Sequence, residues 1–357
     1  MWGEFMTDFS QRLNNASTPE RVLVTGSQGY IGSVLVQHLR SHGYDVVERD
    51  LGLYVECRYP SGAIEPLEWD VREATPADFH GVDAVVHLAA LSNDPLGDLD
   101  PALTYEINHD GTMRVAEAAK DAGVSRFVFA SSCSLYGSSE AGGLLDESAA
   151  MAPLTPYAET KVTAEEALAK LADDNFSPTY MRNATVYGPS PGLRLDIVVN
   201  DLCATAAATG RILLKSDGSA WRPQVHVEDV ARSVRAVLEA PVEAVHDHAF
   251  NVGRTEDNLR VIEIAELVSD AVPGGAPIEY VEDPGTDPRS YRVDFSKIAA
   301  AIPSFQPRWT LAEGVRQLLT VFLEDGMKVD DFQRYRRLHE IKRLIAEGTL
   351  EKSLTWA

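Results

Sequence analysis

The feature that most constrains this chain is a glycine-rich turn between an apolar run and a helical pattern. The turn has the sequence TGSQGYIG at residues 25–32, and it follows the run Val22-Leu23-Val24. Such a short apolar run predicts a buried parallel strand. Apolar residues then recur at helical spacing up to Leu39, and Gly43 stops the predicted helix. A glycine turn between a strand and a helix is the arrangement that binds a dinucleotide pyrophosphate.

The glycines of this turn have separate physical roles. Gly26 permits a tight turn, Gly29 lets the backbone approach a pyrophosphate, and Gly32 lets the helix pack on the strand. Free N–H groups at the helix start, together with the helix dipole, attract phosphate. The predicted cofactor contacts of this segment are Gly26, Gln28, Gly29, Tyr30, Ile31 and Gly32. An ordinary strand–helix turn is the alternative interpretation.

Two acidic residues predict contacts with the adenosine half of the cofactor. Asp50 ends a predicted second strand, where a carboxylate can bind both ribose hydroxyls of NAD and repel the 2′-phosphate of NADP. Arg49 beside it could favour that phosphate. Asp70 and Val71 could hold the adenine amino group and ring, or they could form an ordinary polar strand end.

The alternation of strands and helices continues and predicts the fold class. Strands are expected over 84–88, 126–130 and 179–181, and helices over 105–122 and 157–171. We therefore expect an α/β fold, a Rossmann-type doubly wound parallel sheet with a smaller C-terminal substrate-binding lobe. The first expected division is a flexible tail at 1–20, with a possible short helix over 5–13. An NAD-binding domain follows at 21–187, and residues 225–255 return to it. The substrate-binding lobe is expected at 188–224 and 256–326, and a helical extension at 327–357. The extension is amphipathic, so we expect it to pack on the body or on a partner.

Tyr157 and Lys161 predict the reactive part of the site. They are four residues apart and share one helix face, and Pro156 suits a helix start. A free tyrosine, with a pKa of about 10, is a poor base at neutral pH. A nearby ammonium and a positive nicotinamide both favour the phenolate and lower that pKa. Lys161 can also hold the nicotinamide ribose, although a Tyr-x-x-x-Lys pair also arises by chance in helical proteins.

A serine cluster supplies the second half of the predicted site. The segment ASSCSLYG at 130–137 lies at the end of a predicted strand, where ligands bind in such sheets. A hydroxyl there can hydrogen-bond a sugar oxygen and share a proton with Tyr157. A serine-rich turn without function is the alternative, but the order of glycine turn, serine cluster and Tyr-Lys pair favours a catalytic site.

The net charge of −22 restricts the partners. Nucleic acid needs a basic surface, so no such partner is expected, and an anionic substrate would need local arginine or lysine. No apolar run is long enough to span a membrane, and no secretory signal is visible. Cys57, Cys133 and Cys203 form no CxxC pair, which predicts reduced thiols in a cytoplasmic protein, and no metal site is predicted.

Together these motifs make the chain resemble the extended short-chain dehydrogenase/reductase family, the NAD-dependent nucleotide-sugar epimerases and dehydratases. The resemblance covers residues 21–325. Its further motifs are HLAA at 87–90, YEINHDGT at 105–112, YGP at 187–189, WRPQVHVEDV at 221–230, FNVG at 250–253 and DFSK at 294–297. The family implies that Ser132, Tyr157 and Lys161 are catalytic, and that Leu88, Ala89, Ala90 and Asn108 border NAD. It also implies a homodimer that pairs the helices at 105–122 and 157–171.

The resemblance further implies which residues face the substrate, a nucleotide-diphosphate sugar. They are Asn183, Asn200, Arg222, Arg289 and Tyr291. Arg222 and Arg289 would be the local cations that an acidic protein needs, although Arg289 and Arg292 could instead be ordinary surface residues. Ser92, Asn93 and Asp94 could touch the substrate or cap the next helix. His87 and His226 are expected to be structural.

Positions 133 and 134 discriminate among the reactions of this family. Related 4,6-dehydratases carry Asp-Glu there, decarboxylating relatives carry Glu at the second position, and 3,5-epimerases carry Cys at the second position. Cys133-Ser134 instead fits 4-epimerases and some ketoreductases. The resemblance therefore implies a C4 epimerase that oxidises and re-reduces the sugar with help from Tyr157. Ser132 would position the sugar oxygen and relay the proton, and Ser134 would face the substrate.

Two alternatives remain open at this point. One is an NAD(P)H-dependent ketoreductase of a keto-sugar nucleotide, and the other is a non-catalytic dinucleotide-sensing regulator. Asp283 stands where relatives carry an arginine, so the chain departs from the family pattern on the substrate side.

Overall fold

The computed structural model describes residues 18–60, 62–92, 100–138 and 143–357. Most of the predicted tail, its possible helix, and Asn93 and Asp94 therefore lie outside the described residues. The strands are β1 (Arg21–Thr25), β2 (Asp45–Arg49), β3 (Ala84–His87), β4 (Arg126–Ser132), β5 (Leu144–Leu145), β6 (Ser177–Asn183), β7 (Thr185–Tyr187), β8 (Ile212–Ser216), β9 (Trp221–His226), β10 (His248–Val252), β11 (Asn258–Arg260), β12 (Ile278–Gly285) and β13 (Arg292–Val293). The helices are α1 (Tyr30–Ser41), α2 (Pro101–Tyr105), α3 (Gly111–Asp121), α4 (Pro156–Ala169), α5 (Val198–Thr209), α6 (Val227–Glu239), α7 (Val242–Val245), α8 (Val261–Ala271), α9 (Ser296–Ala301), α10 (Leu311–Glu324) and α11 (Arg337–Ala346).

Six parallel strands of the described chain form the central sheet, in the order β10-β6-β4-β3-β1-β2. Alternate side chains of a strand point to opposite faces, and both faces of this sheet are covered. Val22 and Val24 belong to one hydrophobic cluster, whereas Leu23 belongs to the other. The chain places β2 on one side of β1 and β3 on the other, which opens a crevice at the carboxyl ends of β1 and β3. The predicted fold class is confirmed.

One predicted helix differs from the structure in its start and its winding. We expected a helix over 105–122, but it begins at Pro101, where the Asp100 carboxylate accepts a hydrogen bond from the Leu103 N–H. A π turn at Glu106–Asp110 then joins α2 to α3. A π turn inserts a residue into the helical period, so the apolar spacing that marks α3 does not extend back through α2.

Smaller sheets from the second half of the chain flank the cavity described below. One sheet has the order β11-β9-β7, and β12 pairs with β8. The extension packs on the body of its own chain rather than projecting from it. Phe332 and Tyr335 join the cluster of this smaller lobe, whereas Ile341 and Leu344 join a cluster of the central sheet. Within the described residues, no helix has the length and apolar character needed to cross a bilayer.

Candidate active site

A cavity of about 1140 Å³ opens at the carboxyl ends of the central strands, between the sheet and the smaller lobe. The predicted cofactor residues that line it are Gly26, Gly29, Tyr30, Ile31, Gly32, Asp50, Asp70, Val71, Leu88, Ala89 and Ala90. The predicted catalytic and substrate residues that line it are Ser92, Ser132, Ser134, Tyr157, Lys161, Asn183, Arg222, Arg289 and Tyr291. Residues from distant parts of the sequence therefore meet around one space.

Three predicted contact residues are buried behind the cavity wall instead. The Gln28 side chain donates to the Glu65 carbonyl at 2.9 Å. The Asn108 carboxamide binds both backbone polar groups of Leu91, at 2.8 and 3.1 Å. The Asn200 carboxamide accepts from the Gly188 N–H at 3.1 Å and donates to the Arg194 carbonyl at 3.0 Å. Asn108 and Asn200 satisfy backbone groups that would otherwise be buried and unpaired, and all three side chains support the wall rather than form it.

The glycine turn brings α1 close to β1. Gly26 has φ +69°, and a Cβ on Gly32 would lie 2.1 Å from the Gly26 carbonyl oxygen, so a larger residue would push the helix away. The first turn of α1 contains no acidic residue, and Gly29 provides no side-chain cap. The positive end of the helix dipole is thus left for an anion.

The predicted adenosine contacts are already fixed by hydrogen bonds within the chain. The Asp50 carboxylate accepts from the Gln28 N–H at 2.9 Å and from the Gly52 N–H at 2.7 Å. Burial raises the pKa of Asp50, and these two N–H groups oppose that rise. The Asp70 carboxylate is held by Arg72, whose Nη2 donates to it at 2.6 Å. The Asp50 carboxylate remains in the cavity wall, where it would oppose a 2′-phosphate.

α4 presents Tyr157 and Lys161 to the cavity. The Thr155 hydroxyl accepts from the Ala158 N–H at 3.3 Å, and Pro156 occupies the first turn, as the sequence predicted for this helix start. The Lys161 Nζ lies 5.7 Å from the centroid of the Tyr157 ring. Burial lowers the pKa of Lys161 to about 7, with the Glu165 charge opposing the change. The amine is therefore poised to change its charge near neutral pH.

At the end of β4, some side chains face the cavity and others face the core. The Ser132 hydroxyl oxygen accepts from the Ser134 N–H at 3.1 Å, which leaves its proton to donate elsewhere. Ser134 Oγ and Asn183 Oδ1 are buried and have no hydrogen-bond partner within the described chain. Cys133 points away, with its Sγ 3.1 Å from the Arg182 carbonyl oxygen, and burial raises the pKa of its thiol. Ser132, Ser134 and Asn183 thus belong to the cavity lining, whereas the Cys133 thiol is turned into the core.

The two predicted substrate arginines share one carboxylate. Arg222 forms an ion pair with Asp287, and the Nη2 of Arg289 donates to the same carboxylate at 2.9 Å. Burial would raise the pKa of Asp287, but the Arg289 hydrogen bonds and the two positive charges lower it to about 2. Asp287 is therefore ionised at neutral pH, and the three side chains together carry a net positive charge.

Arg194 and Arg337 are among the cavity residues that the sequence did not predict. Arg194 follows the glycine-proline break at 188–192, and a cation so close to this break was an available signal. Arg337 begins α11 in the extension, almost 290 residues after Asp50, and no local pattern connects the two. Its role in the cavity emerges only from the tertiary structure.

The two histidines noted in the sequence form internal hydrogen bonds. His87 lies between the hydroxyls of Thr25 and Thr112, at 2.8 and 2.9 Å. His226 binds the Gln317 carboxamide at 2.8 Å. Among the residues described, no group of three or more His, Cys, Asp or Glu side chains is arranged to hold a metal ion.

Comparisons with known proteins show which proteins this chain is similar to. The NAD dependent epimerase/dehydratase family matches residues 22–253. The chain is 32% identical over 316 residues to the UDP-glucose 4-epimerase of Mycolicibacterium smegmatis, covering 85% of this chain and 98% of that protein. It is 28% identical over 352 residues to dTDP-glucose 4,6-dehydratase 1 of Escherichia coli, covering 87% and 95%. The solved structure of MoeE5 in complex with UDP-glucose and NAD is similar, with a TM-score of 0.73, 29% identity, and coverage of 86% of this chain and 99% of that one.

Proposed function

Because this chain belongs to the NAD-dependent epimerase/dehydratase family, we propose that it is a nucleotide-sugar epimerase acting at C4. The observation that carries this proposal is the end of β4. Ser132 and Ser134 line the cavity there, while Cys133 is turned into the core. No carboxylate stands at positions 133 and 134 to eliminate water from the sugar. Hydroxyls alone can hold a sugar that is oxidised and then reduced again.

The cofactor is NAD, and the residues present fit it. The positive N-terminus of α1 carries no acidic residue, which suits a pyrophosphate. The buried Asp50 carboxylate suits the adenosine ribose, and Lys161 suits the nicotinamide ribose. When bound, NAD accepts a hydride from the sugar and returns it.

Tyr157 performs the proton chemistry in this proposal. Its phenolate takes the proton from the C4 hydroxyl of the sugar and later returns it, and a positive Lys161 beside it favours the phenolate. Ser132 donates its free proton to the sugar oxygen, because its own oxygen already accepts from the Ser134 N–H. Ser134 Oγ and Asn183 Oδ1, which have no other partner in the described chain, bind neighbouring sugar hydroxyls.

Arg222 and Arg289 bind the substrate diphosphate in this proposal. Their shared partner, Asp287, neutralises one of two positive charges, so a net attraction for an anion remains. We also propose a homodimer through α2, α3 and α4, which lie side by side and are linked by a Tyr105–Glu159 hydrogen bond of 2.7 Å. A cytoplasmic location, supported by three free buried thiols and testable by cell fractionation, is part of the same proposal.

Purified protein incubated with UDP-glucose or UDP-galactose, without added cofactor, tests the function. Interconversion of the two sugars with about one NAD retained per chain is expected. Consumption of external NADPH on a keto-sugar nucleotide would instead indicate a ketoreductase. Binding of NAD without turnover of UDP- or dTDP-sugars would indicate a sensor, and release of a 4-keto-6-deoxy sugar would indicate a dehydratase.

A further inference from the structure

Two buried arginines on the cavity wall each have an unused hydrogen-bond donor. Arg194 is 8% exposed and Arg337 is 2% exposed. One terminal guanidinium nitrogen of each, Nη2 of Arg194 and Nη1 of Arg337, is buried without a partner in the described chain. A buried charged donor that stays unpaired is costly, so this pair suits an anionic ligand with several acceptor oxygens.

The chain places both arginines beside the glycine turn. Ser190 Oγ donates to the Tyr30 carbonyl at 2.6 Å, which fastens the loop containing Arg194 to the start of α1. A Cβ on Gly192 would lie 2.6 Å from the Gly29 carbonyl oxygen, so these two backbones are in close contact. Arg337 Nη2 donates to the Gly192 carbonyl at 2.8 Å. Arg337 therefore contacts Gly192, which itself packs against the glycine turn that attracts a pyrophosphate.

The two guanidinium groups contact two different parts of the cavity wall. Arg194 Nη1 donates to Ser92 Oγ at 2.9 Å, on the segment that follows β3. The Arg337 guanidinium lies 3.9 Å from the centroid of the Tyr54 ring, just beyond Asp50. Charge effects agree with this placement. Burial raises the pKa of Asp50, its hydrogen bonds lower it, and the charge of Arg337 lowers it further. Burial lowers the pKa of Arg194 and Asp196 raises it, and a smaller effect of Tyr157 raises it further.

The repulsion between the two guanidinium groups also favours an anion between them. Arg194 Nε donates to the Asp196 carboxylate at 2.8 Å, and this carboxylate balances one of the two positive charges. Burial lowers the pKa of Arg337, and the like charge of Arg194 lowers it further. A diphosphate placed between the two would pair the unused donors and relieve the repulsion.

We propose that Arg194 and Arg337 bind the pyrophosphate of the dinucleotide beside the glycine turn, so that the 327–357 extension completes the cofactor site. The family match ends at residue 253, well before Arg337. The role is independent of the sugar reaction proposed above, because it concerns only how the cofactor is held.

Calorimetry on nucleotide-free, full-length protein tests the proposal with NAD, ADP-ribose, adenosine and UDP as separate ligands. Arg194→Met and Arg337→Met should each weaken NAD and ADP-ribose by about 10- to 150-fold and leave adenosine unchanged. The control is Arg343→Met on the same helix, where Arg343 pairs with Glu340 and Glu347 away from the cavity. This control should retain wild-type affinity for all four ligands.

Other outcomes would overturn the proposal. Loss of UDP binding with unchanged NAD binding would assign the arginines to the substrate diphosphate. An equal loss for adenosine and ADP-ribose, or the same loss in Arg343→Met, would mean that the arginines only support the fold. If Arg337→Met does not fold, wild-type affinity of Arg194→Met for ADP-ribose would by itself contradict the proposed pair. The NAD content of each purified variant gives a second readout that does not depend on catalysis.

Discussion

Lys161 is a single residue in which stability and function are opposed. Its Nζ lies 4.6 Å from the centroid of the Phe129 ring, and burial lowers its pKa to about 7, with Glu165 opposing. An unfolded lysine has a pKa of about 10.4, so between these values the unfolded chain binds more protons than the folded chain. The contribution of Lys161 to stability therefore becomes more favourable as pH rises from about 7 to 10.4, and it is least favourable below pH 7.

Lys161→Met should raise the free energy of unfolding at pH 6 by a few kcal/mol. The upper limit of this gain is about 1.4 kcal/mol for each unit by which the pKa of Lys161 is lowered. The variant should lose the rise of stability between pH 7 and 9 that this lysine causes, and it should lose activity. Urea unfolding at pH 6 and pH 9 measures both stability effects. Lys170→Met, at the exposed end of the same helix, is the control. A variant less stable than wild type at pH 6 would contradict the prediction.

Tyr157→Phe should lower turnover by a factor of about 10²–10⁴ or more while NAD stays bound. The substitution removes the phenol oxygen that would take the sugar proton but keeps the ring. Initial rates and the NAD content of the purified variant give the measurement. Tyr105→Phe is the matched control, because the Tyr105 hydroxyl binds Glu159 rather than lining the cavity. A near wild-type rate for Tyr157→Phe would reject the proposed mechanism.

Arg222→Ala should weaken UDP-sugar binding by about 10- to 150-fold and NAD binding far less. The removed guanidinium is one of two cations held by Asp287, so the local net charge falls to zero. Asp287→Asn should act in the opposite direction, since it removes the negative charge that the two arginines share. Calorimetry of a UDP-sugar against the three proteins measures both effects. Equal affinities for wild type and Arg222→Ala would mean that this arginine is structural.

At the scale of elements, the π turn between α2 and α3 fixes part of the cavity wall. It carries Asn108, whose carboxamide binds both polar backbone groups of Leu91 and also donates to Thr160 Oγ1 at 3.3 Å. Asn108→Ala leaves these buried groups unpaired, which should lower the free energy of unfolding by about 1–3 kcal/mol. NAD affinity should fall as well, since residues 88–91 line the cavity. Urea unfolding and calorimetry measure the two effects, and unchanged values in both would contradict this role.

Local patterns predicted the elements and the motifs that lie on them. The glycine turn, the end of β4 and the start of α4 at Pro156 all follow from neighbouring residues. The same patterns do not give side-chain direction, and so Asn108 and Asn200 were assigned to the ligands rather than to the backbone groups behind the wall. They also give no long-range proximity, which is why Arg337 was missed. The division of the chain at residues 187 and 224 remains a prediction.

At the scale of the whole molecule, the proposed homodimer must form between protomers of net charge −22 each. Like charges repel, and salt screens that repulsion. Light scattering over a range of concentrations should therefore give a dimer mass, with tighter association at higher ionic strength. A monomer mass that does not change with concentration would reject the dimer.

The contact between the extension and the second strand has a consequence for biosynthesis. The Trp356 indole N–H donates to the Leu51 carbonyl at 2.8 Å, across 305 residues of sequence. At about 5–20 residues per second, the ribosome needs roughly 15–60 s to make that intervening stretch. β1, α1 and β2 thus leave the ribosome long before Arg337 exists to complete the cavity. The proposed pyrophosphate site is therefore incomplete on the nascent chain until Arg337 has left the ribosome.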